Sequence, residues 1–190
     1  MSEPPTAVVT DALSAHLFEW VVEHADDGYA ALGLQPHPVE GGHFRETYRS
    51  AGVIPTVALP SHDADRSVGT AIYYLLTGPA VSEVHRLPGD EVFHFYLGDP
   101  LETLLLQPGG GSEVVTIGAD LLAGQVPQSV IPAGGWQGRV RGTGPHGFAL
   151  IGATMAPGFD YADYERGGRD DLTAGWPSHA AEIAARTLLE

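Results

Sequence analysis

Two histidines and two carboxylates lie within ten residues of one another in the stretch SEVHRLPGDEVFHFYLG, which covers residues 82–98. They are His85, Asp90, Glu91 and His94. Imidazole and carboxylate side chains at this density can bind a divalent metal ion or transfer protons in a reaction. β-Branched and aromatic residues flank a Pro-Gly turn here, which predicts two strands joined by a turn. This stretch is therefore the first candidate for a functional site.

The strand after the turn has two faces, because side chains alternate along a strand. His94 follows Glu91 by three residues, so a regular strand sends the two side chains to opposite faces. We therefore expect His94 to serve in packing or at a subunit contact, unless a bulge lies between the two residues. Asp90 either joins the site or caps the turn after Gly89.

The composition excludes several classes of function. The chain has 24 acidic residues and only nine basic ones, all arginine, for a formal net charge of −15. A field of that sign repels phosphate backbones and anionic lipids, so we expect neither nucleic-acid nor membrane binding. The absence of cysteine excludes disulfides, thiolate metal sites and cysteine nucleophiles. With no secretory leader and no apolar run of about 20 residues, a cytoplasmic location is expected.

Short strands separated by turns predict the elements that position these side chains. Residues 43–49 alternate with period two, and residues 70–78 and 147–159 are apolar runs rich in branched or aromatic residues. A hairpin is expected around Gly109–Gly111. This pattern, with little helix between the strands, is typical of an all-β sandwich or barrel.

The remaining segments predict one domain with extensions at both ends. We expect an arm and an amphipathic helix in residues 1–28, the β-barrel in residues 29–160, and a loop and helix in residues 161–190 that pack on the same domain. Helical spacing of apolar residues behind a threonine places the first helix at about residues 11–25. Ser178 is the expected N-cap of the last helix.

Two separated motifs resemble those of the cupin superfamily. Glu91, six further residues and Gly98 match the end of the first cupin motif. His85 matches the second histidine of that motif, although five residues rather than three or four separate it from Glu91. Glu83 stands at the place of the first histidine. Residues 132–134, Pro-Ala-Gly, match the start of the second motif.

The second motif departs from the cupin pattern at its functional positions. Gln137 replaces the histidine and Arg141 replaces the asparagine. The resemblance implies that Glu91 and Gln137 converge with His85 inside the barrel. One imidazole, one or two carboxylates and a neutral amide form a weak site for zinc, iron or copper, so a bound divalent metal is not favoured.

Four longer phrases resemble one cupin subfamily whose members are mostly uncharacterised, over about residues 30–175. With the two expected helices, the resemblance implies a double-stranded β-helix, or jelly-roll barrel, with an N-terminal helix and a short C-terminal helix. It further implies a fold like that of sugar-nucleotide epimerases and a homodimer, and it carries no settled reaction. The phrases are LGLQPHPVEGGHFRETYRS, TAIYYLLTG, DEVFHFYLGDPLE and APGFDYADYE.

Other side chains of the predicted barrel strands could contact a ligand. Tyr73 could donate a proton, or it could belong to the aromatic core. Gln137, Arg139 and Arg141 share one face of their strand, and if that face points inward the arginines suit a carboxylate or phosphate. Arg45 belongs to the same candidate set. Alternatively, these arginines form internal ion pairs or lie on a solvated rim.

Three hypotheses for function follow. The leading one is binding of a small, anionic metabolite in the barrel, with isomerase-like or epimerase-like proton transfer by His85. The second is a metal-dependent cupin enzyme that uses a divalent metal ion held by His85, Glu91 and Gln137. The third is a non-catalytic binding or sensor module for a small molecule. The strand at residues 43–49 should lie near a sheet edge that needs a partner, which favours a two-fold homodimer.

Overall fold

The computed structural model describes residues 32–187. The helix expected at residues 11–25 lies outside this range. No helix within residues 32–187 has both the length and the apolar composition that crossing a membrane requires. The strands of the described chain are β1 (Gln35–Pro36), β2 (His43–Arg49), β3 (Val53–Ile54), β4 (Arg66–Ser67), β5 (Thr70–Thr77), β6 (Val81–Arg86), β7 (Glu91–Gly98), β8 (Leu101–Leu106), β9 (Ser112–Ile117), β10 (Gln128–Ile131), β11 (Trp136–Arg141), β12 (Phe148–Met155) and β13 (Glu165–Arg166).

The strands form two main antiparallel sheets that pack face to face. The first has the order β1-β2-β5-β12-β7-β10 and the second the order β13-β6-β11-β8-β9, while β3 and β4 form a separate pair. Side chains from both sheets meet in one apolar core. This arrangement confirms the all-β jelly roll expected from the sequence, as two sheets rather than a closed barrel. The fully buried members of the core are Tyr74, Leu76, Phe93, Leu101, Leu105, Ile117, Ile131, Ala149, Ile151 and Ala153.

The strand and hairpin predictions are confirmed where the sequence pattern was strongest. β12 lies in the middle of the six-stranded sheet between β5 and β7, and most of its residues are buried, as a near-continuous apolar run predicts. β8 and β9 pair from Leu101↔Ile117 to Leu106↔Ser112 across the Gly109–Gly111 turn. β6 and β7 are the two strands expected on either side of the Pro-Gly turn.

Two short helices cover the outer side of the five-stranded sheet. They are α1 (Arg169–Gly175) and α2 (Ala180–Ala185), with 3-10 turns at Thr56–Ala58, Leu121–Ala123, Tyr161–Asp163 and Pro177–His179 elsewhere in the described chain. We call the apolar contact between helices and sheet the helix-covered layer; it consists of Val84, Leu104, Leu106, Leu172 and Ile183. The helices therefore bury the face of the sheet that is turned away from the core.

The expected N-cap of the last helix is wrong. Ser178 lies within the 3-10 turn Pro177–His179, and α2 begins only after that turn. The residue before α2 is His179, which makes no side-chain capping hydrogen bond. Because the proline starts a tight turn of its own, the capping position moves past the serine.

Candidate functional site

A bulge in β6 turns two of its polar side chains toward the interior. In the β6–β11 pair, Gln137 is opposite His85 and Arg139 is opposite Ser82, so three steps along β6 match two steps along β11. Without this extra residue, strand alternation would send Ser82 and His85 to opposite faces. Both are fully buried, and both contact side chains of β11.

Arg139 is a buried cation between the two sheets. Its side chain is 0% exposed, and its guanidinium carbon lies 3.5 Å from the centre of the Phe93 ring. Nη2 donates a hydrogen bond to Oε1 of Gln137, and Nη1 donates one of 3.3 Å to the Ser82 hydroxyl. Nη1 also lies 3.8 Å from Oε1 of Glu40. Burial lowers the pKa of Arg139, and the attractions of Glu91 and Glu40 oppose that shift.

The orientation of the Gln137 amide follows from the position of Arg139. A guanidinium only donates hydrogen bonds, so the amide oxygen must face it. The amide nitrogen then lies 2.7 Å from Oε2 of Glu91 and 3.3 Å from Nε2 of His85. The reverse orientation would place donors against donors at Arg139 and oxygen against a carboxyl oxygen at Glu91. Gln137 therefore presents N–H groups to both neighbours.

His85 has a defined tautomer and ring orientation. Its Nδ1 lies 2.7 Å from the backbone carbonyl oxygen of Glu83, which can only accept a hydrogen bond. Nδ1 therefore carries a proton, and in the neutral ring Nε2 has the free lone pair. The Tyr164 ring stacks on the imidazole, with centroids 4.9 Å apart and planes 22° apart. His85 is thus held with its basic nitrogen toward Gln137.

Glu40 enters this site from the loop before β2, and the sequence analysis missed it. The Ser82 hydroxyl donates a hydrogen bond to its Oε1, and its backbone carbonyl accepts one of 2.9 Å from Glu83. The chain can pass this close because Gly41 follows: its φ is +93°, and a Cβ there would lie 2.4 Å from the Val81 carbonyl oxygen. The Glu-Gly-Gly sequence was the signal that could have indicated an inserted loop.

Glu40, Ser82, His85, Glu91, Gln137 and Arg139 are called the interior cluster below. Its two carboxyl groups are shifted in opposite directions. Burial raises the pKa of Glu91, and the attraction of Arg139 only partly offsets this. Burial acts in the same sense on Glu40, but the attractions of His85, His37 and Arg139 outweigh it and lower the pKa of that carboxyl. Glu91 is therefore the more easily protonated of the two carboxyl groups, and Glu40 is the more easily ionised.

A small pocket opens beside the interior cluster. It has a volume of about 70 Å³, room for only a few non-hydrogen atoms. At its mouth, Nη2 of Arg49 and Oε2 of Glu46 form an ion pair of 2.7 Å. The pocket can therefore surround a small molecule with both polar and apolar groups. Its polar lining residues are His37, Glu40, Glu46, Arg49, Thr70, His85 and Glu91, and the others are Phe44, Ile72, Leu87, Ala153, Met155, Phe159 and Tyr161.

The arginines expected to bind a ligand do not line this pocket. Arg45 is exposed and donates a hydrogen bond of 2.8 Å to the Leu32 carbonyl oxygen. Arg141 pairs with the buried Asp99 at 2.6 Å. Arg139 lies behind Gln137 and uses its donors within the cluster. Internal pairing, one of the alternatives left open by the sequence, is what the structure shows for Arg139 and Arg141.

The expectation that Tyr73 lines the interior is corrected by its neighbour. Tyr74 is 1% exposed, and its hydroxyl donates a hydrogen bond of 2.8 Å to the Gly41 carbonyl oxygen. Tyr73 therefore points to the outer face of the sheet, where its ring packs edge-on against Tyr96 at 5.9 Å. Alternation along β5 sends the two rings to opposite faces.

The other residues of the opening stretch lie outside the interior cluster. His94 is on the face opposite Glu91, as predicted, with Nε2 3.0 Å from the Thr154 hydroxyl and Nδ1 3.2 Å from the Gln128 amide nitrogen. Asp90 accepts a hydrogen bond of 2.8 Å from the backbone N–H of Ala133. It therefore ties together the two turns that precede β7 and β11.

The residues at the motif positions do not fit a divalent metal. Within residues 32–187, no group of three or more histidine, aspartate or glutamate side chains is arranged to hold one. Gln137 directs N–H donors, rather than its oxygen, toward His85 and Glu91. An amide nitrogen with its protons is not a metal ligand, so the three residues do not form a ligand set as they stand.

Comparisons with known proteins agree on fold and length. Residues 28–166 match the family model Cupin_5, described as Cupin superfamily (DUF985). The uncharacterized protein YML079W of Saccharomyces cerevisiae is 30% identical over 158 residues, which cover 76% of this chain and 77% of that protein.

Two solved structures are similar over most of their length. Protein SO0799 from Shewanella oneidensis is 34% identical, with a TM-score of 0.75, and the match covers 87% of this chain and 98% of that one. A hypothetical protein from Leishmania major is 29% identical, with a TM-score of 0.76, and the match covers 87% and 99%. The described fold is therefore shared across distant organisms.

Proposed function

Because the chain belongs to the DUF985 family of the cupin superfamily and has a pocket lined by His85 and Glu91, we propose that this pocket binds a small metabolite and transfers a proton on it. The geometry of His85 carries this proposal. The Glu83 carbonyl oxygen holds the proton on Nδ1, so Nε2 is the basic atom of His85, and His85 lines the pocket. The Gln137 amide nitrogen lies 3.3 Å from Nε2, and a substrate C–H group would take its place at that lone pair. Glu91, whose pKa is raised by burial, lines the same pocket. A base and an acid therefore lie beside one cavity.

The reaction class that suits this pair is proton transfer next to a carbonyl group. Nε2 of His85 would remove a proton from the carbon beside the carbonyl, and the C–H electron pair would become the carbon–carbon double bond of an enol. The carboxyl proton of Glu91 would move to the carbonyl oxygen as its π pair forms the O–H bond. Return of a proton to another face or another carbon would complete an epimerisation or isomerisation. All of the protons come from the substrate and these two side chains.

The arginines in the sequence led us to expect an anionic metabolite as the ligand. The positions of the charged side chains in the pocket suggest where the negative group of such a ligand would lie. Of the arginines in residues 32–187, Arg49 lines the pocket, and it lies at the mouth beside Glu46. The inner end has carboxyl and imidazole groups instead. We therefore propose that the reacting end of the ligand is uncharged and that any carboxylate or phosphate on it lies near Arg49.

Hydrogen exchange tests the proton transfer directly. Small ketones and aldehydes such as hydroxyacetone and glyceraldehyde, with their phosphate esters, are incubated with the protein in D₂O and followed by proton NMR. The intact protein should catalyse deuterium incorporation beside the carbonyl, and His85→Gln should slow it by about 100-fold or more. His94→Gln is the matched control, because that histidine lies on the opposite face of β7. Exchange at an undiminished rate in His85→Gln would rule out His85 as the base.

The non-catalytic alternative predicts a different result in the same samples. A compound that raises the melting temperature but exchanges no hydrogen would indicate a binding or sensor module. The second hypothesis, a metal-dependent enzyme at His85, Glu91 and Gln137, has no support from the donor set described above. The exchange measurement therefore separates the two remaining classes.

The assembly and location predicted from the sequence remain part of this proposal. β1 pairs only with His43 and Phe44 of β2, so in the described chain the rest of that β2 edge has no neighbouring strand. An open edge of this kind supports a two-fold homodimer. Light scattering at micromolar concentration should give twice the chain mass, and a monomeric mass would contradict the proposal. A cytoplasmic location stays a prediction.

A further inference from the structure

The interior cluster already contains a cation of its own. Arg139 is completely buried, and its charge lies among Glu40, Glu91 and the polar atoms of Gln137 and Ser82. Buried carboxylates require a nearby positive charge or a proton, because water is not available to solvate them. In a metal-binding site the ion supplies that charge. Here the guanidinium supplies it permanently.

Gln137 transmits the effect of Arg139 to the two atoms that would otherwise be ligands. Its oxygen is taken by the guanidinium, so its nitrogen and not its oxygen faces Oε2 of Glu91 and Nε2 of His85, at 2.7 and 3.3 Å. The lone pairs that could bind a metal accept amide protons instead. A metal ion at this place would have to displace the amide nitrogen and lie close to a second positive charge, which the low-dielectric interior makes costly.

We propose that Arg139 and Gln137 form a cation-and-donor pair that excludes divalent metals from this cupin site and keeps its hydrogen bonds oriented without one. The two residues together are the specificity determinant: the glutamine removes a ligand and blocks two others, and the arginine fixes the glutamine and repels the ion. This inference stands apart from the proton transfer proposed above. It would hold equally if the protein were a binding module.

Restoring metal affinity by substitution tests the proposal. Binding of Zn²⁺ and Co²⁺ is measured by titration calorimetry and, for Co²⁺, by its visible absorption, on the full chain. The wild type and Gln137→His should bind no ion at this site, because the single change restores a ligand but leaves the guanidinium. The double variant Gln137→His/Arg139→Met should bind one ion per chain at least about 100-fold more tightly than Gln137→His.

Matched controls distinguish the effect of the Arg139 charge from that of side-chain size, and binding at the interior cluster from binding by surface histidines. Gln137→His/Arg139→Lys keeps a positive charge and should remain as weak as Gln137→His. Adding His85→Gln to the double variant should abolish the binding, because an ion held by surface histidines would not depend on His85. If methionine prevents folding, as judged by circular dichroism, Gln137→His/Arg139→Gln removes the charge with a polar side chain and gives the same comparison.

Two outcomes would overturn the inference. A stoichiometric ion in the wild-type protein that is lost in His85→Gln would show that the site accepts a metal as it stands. Equal affinity in Gln137→His and in the charge-removing double variant would show that the missing ligand alone, and not Arg139, excludes the metal. Activity of the protein enters none of these measurements.

Discussion

Val84 and His85 are neighbours in β6, yet they belong to two regions built on opposite principles. Val84 lies in the helix-covered layer with Leu172 and Ile183, and all five members of that layer are apolar. His85 lies in the interior cluster, where Arg139 and Gln137 are equally buried but polar or charged. Adjacent residues of one strand therefore belong to an apolar cluster and to a charged one.

The difference between the two regions shows which of them is built for stability. Each buried apolar side chain in the helix-covered layer contributes about 1.5–3 kcal/mol without needing a specific partner. In the interior cluster each charge loses its hydration, and only exact partners offset that loss. Replacement of such a network by apolar residues is often neutral or stabilising. We infer that the interior cluster is retained for what it binds rather than for the stability of the fold.

The largest expected effect comes from removing the charge of the interior cluster alone. Arg139→Met should lower the free energy of unfolding by about 3–5 kcal/mol at neutral pH, because Glu40 is left buried without its cation. Urea unfolding gives this value. The double variant Glu40→Gln/Arg139→Met should recover part of the loss, since it removes both charges. A loss no smaller in the double variant would mean that packing, not charge, explains the effect.

A substitution in the helix-covered layer should lower stability strongly without changing ligand binding. Ile183→Ala in α2 should cost about 2–4 kcal/mol, the range for a buried isoleucine that leaves a cavity. Because Ile183 lies outside the sheets, the affinity for any pocket ligand should be unchanged when it is measured well below the melting temperature. A shift in ligand affinity comparable with that of His85→Gln would show that the two regions are coupled.

A smaller effect should appear in the dependence of stability on pH. Burial raises the pKa of Glu91 above its ordinary 4.5, so the folded state holds this proton more strongly than the unfolded state. The resulting stabilisation is present below pH 4.5 and is lost as the pH rises through the raised pKa. Glu91→Gln should therefore lose less stability than the wild type between pH 4.5 and neutrality.

Urea unfolding at several pH values measures that slope. Glu113→Gln, at an exposed position of β9, controls for the loss of one carboxylate. Parallel wild-type and Glu91→Gln profiles would contradict the raised pKa.

The smallest effect on stability is expected for Arg45, which the sequence analysis placed in the same set of candidate ligand-binding residues as Arg139. Arg45 is exposed, and within residues 32–187 its guanidinium donates a hydrogen bond to the Leu32 carbonyl oxygen. Arg45→Ala should therefore change the free energy of unfolding by no more than about 0.5 kcal/mol. Thermal unfolding of Arg45→Ala and of Arg139→Met, measured under the same conditions, compares the two losses of stability. Similar losses in both variants would contradict the predicted difference between the two arginines.

Much of the fold and part of the site followed from short-range patterns. The apolar run of β12 and the glycine turn between β8 and β9 are local features, and both elements form where they were expected. The resemblance to the cupin motifs implied that His85, Glu91 and Gln137 converge, and the three side chains are neighbours in the structure. Strand alternation alone placed His94 on the face away from Glu91.

Other parts of the site could not be read from those patterns. Alternation says that Tyr73 and Tyr74 face opposite ways, but it does not say which of them faces the core. Arg139 and Arg141 share a strand face, yet one meets Glu40 and Gln137 while the other meets Asp99. The bulge that turns both Ser82 and His85 inward left no mark in the sequence.

The sequence by itself determined the strands and their turns, because alternation and turn chemistry depend on residues close together in the chain. Its resemblance to the cupin motifs implied the convergence of His85 with Glu91 and Gln137. Tertiary structure alone decided that Glu40 enters from a distant loop and that Arg139 faces it. Those partners meet only when two sheets pack and one strand bulges, and the free energy of such a buried ion pair depends on its complete surroundings rather than on its neighbours in sequence.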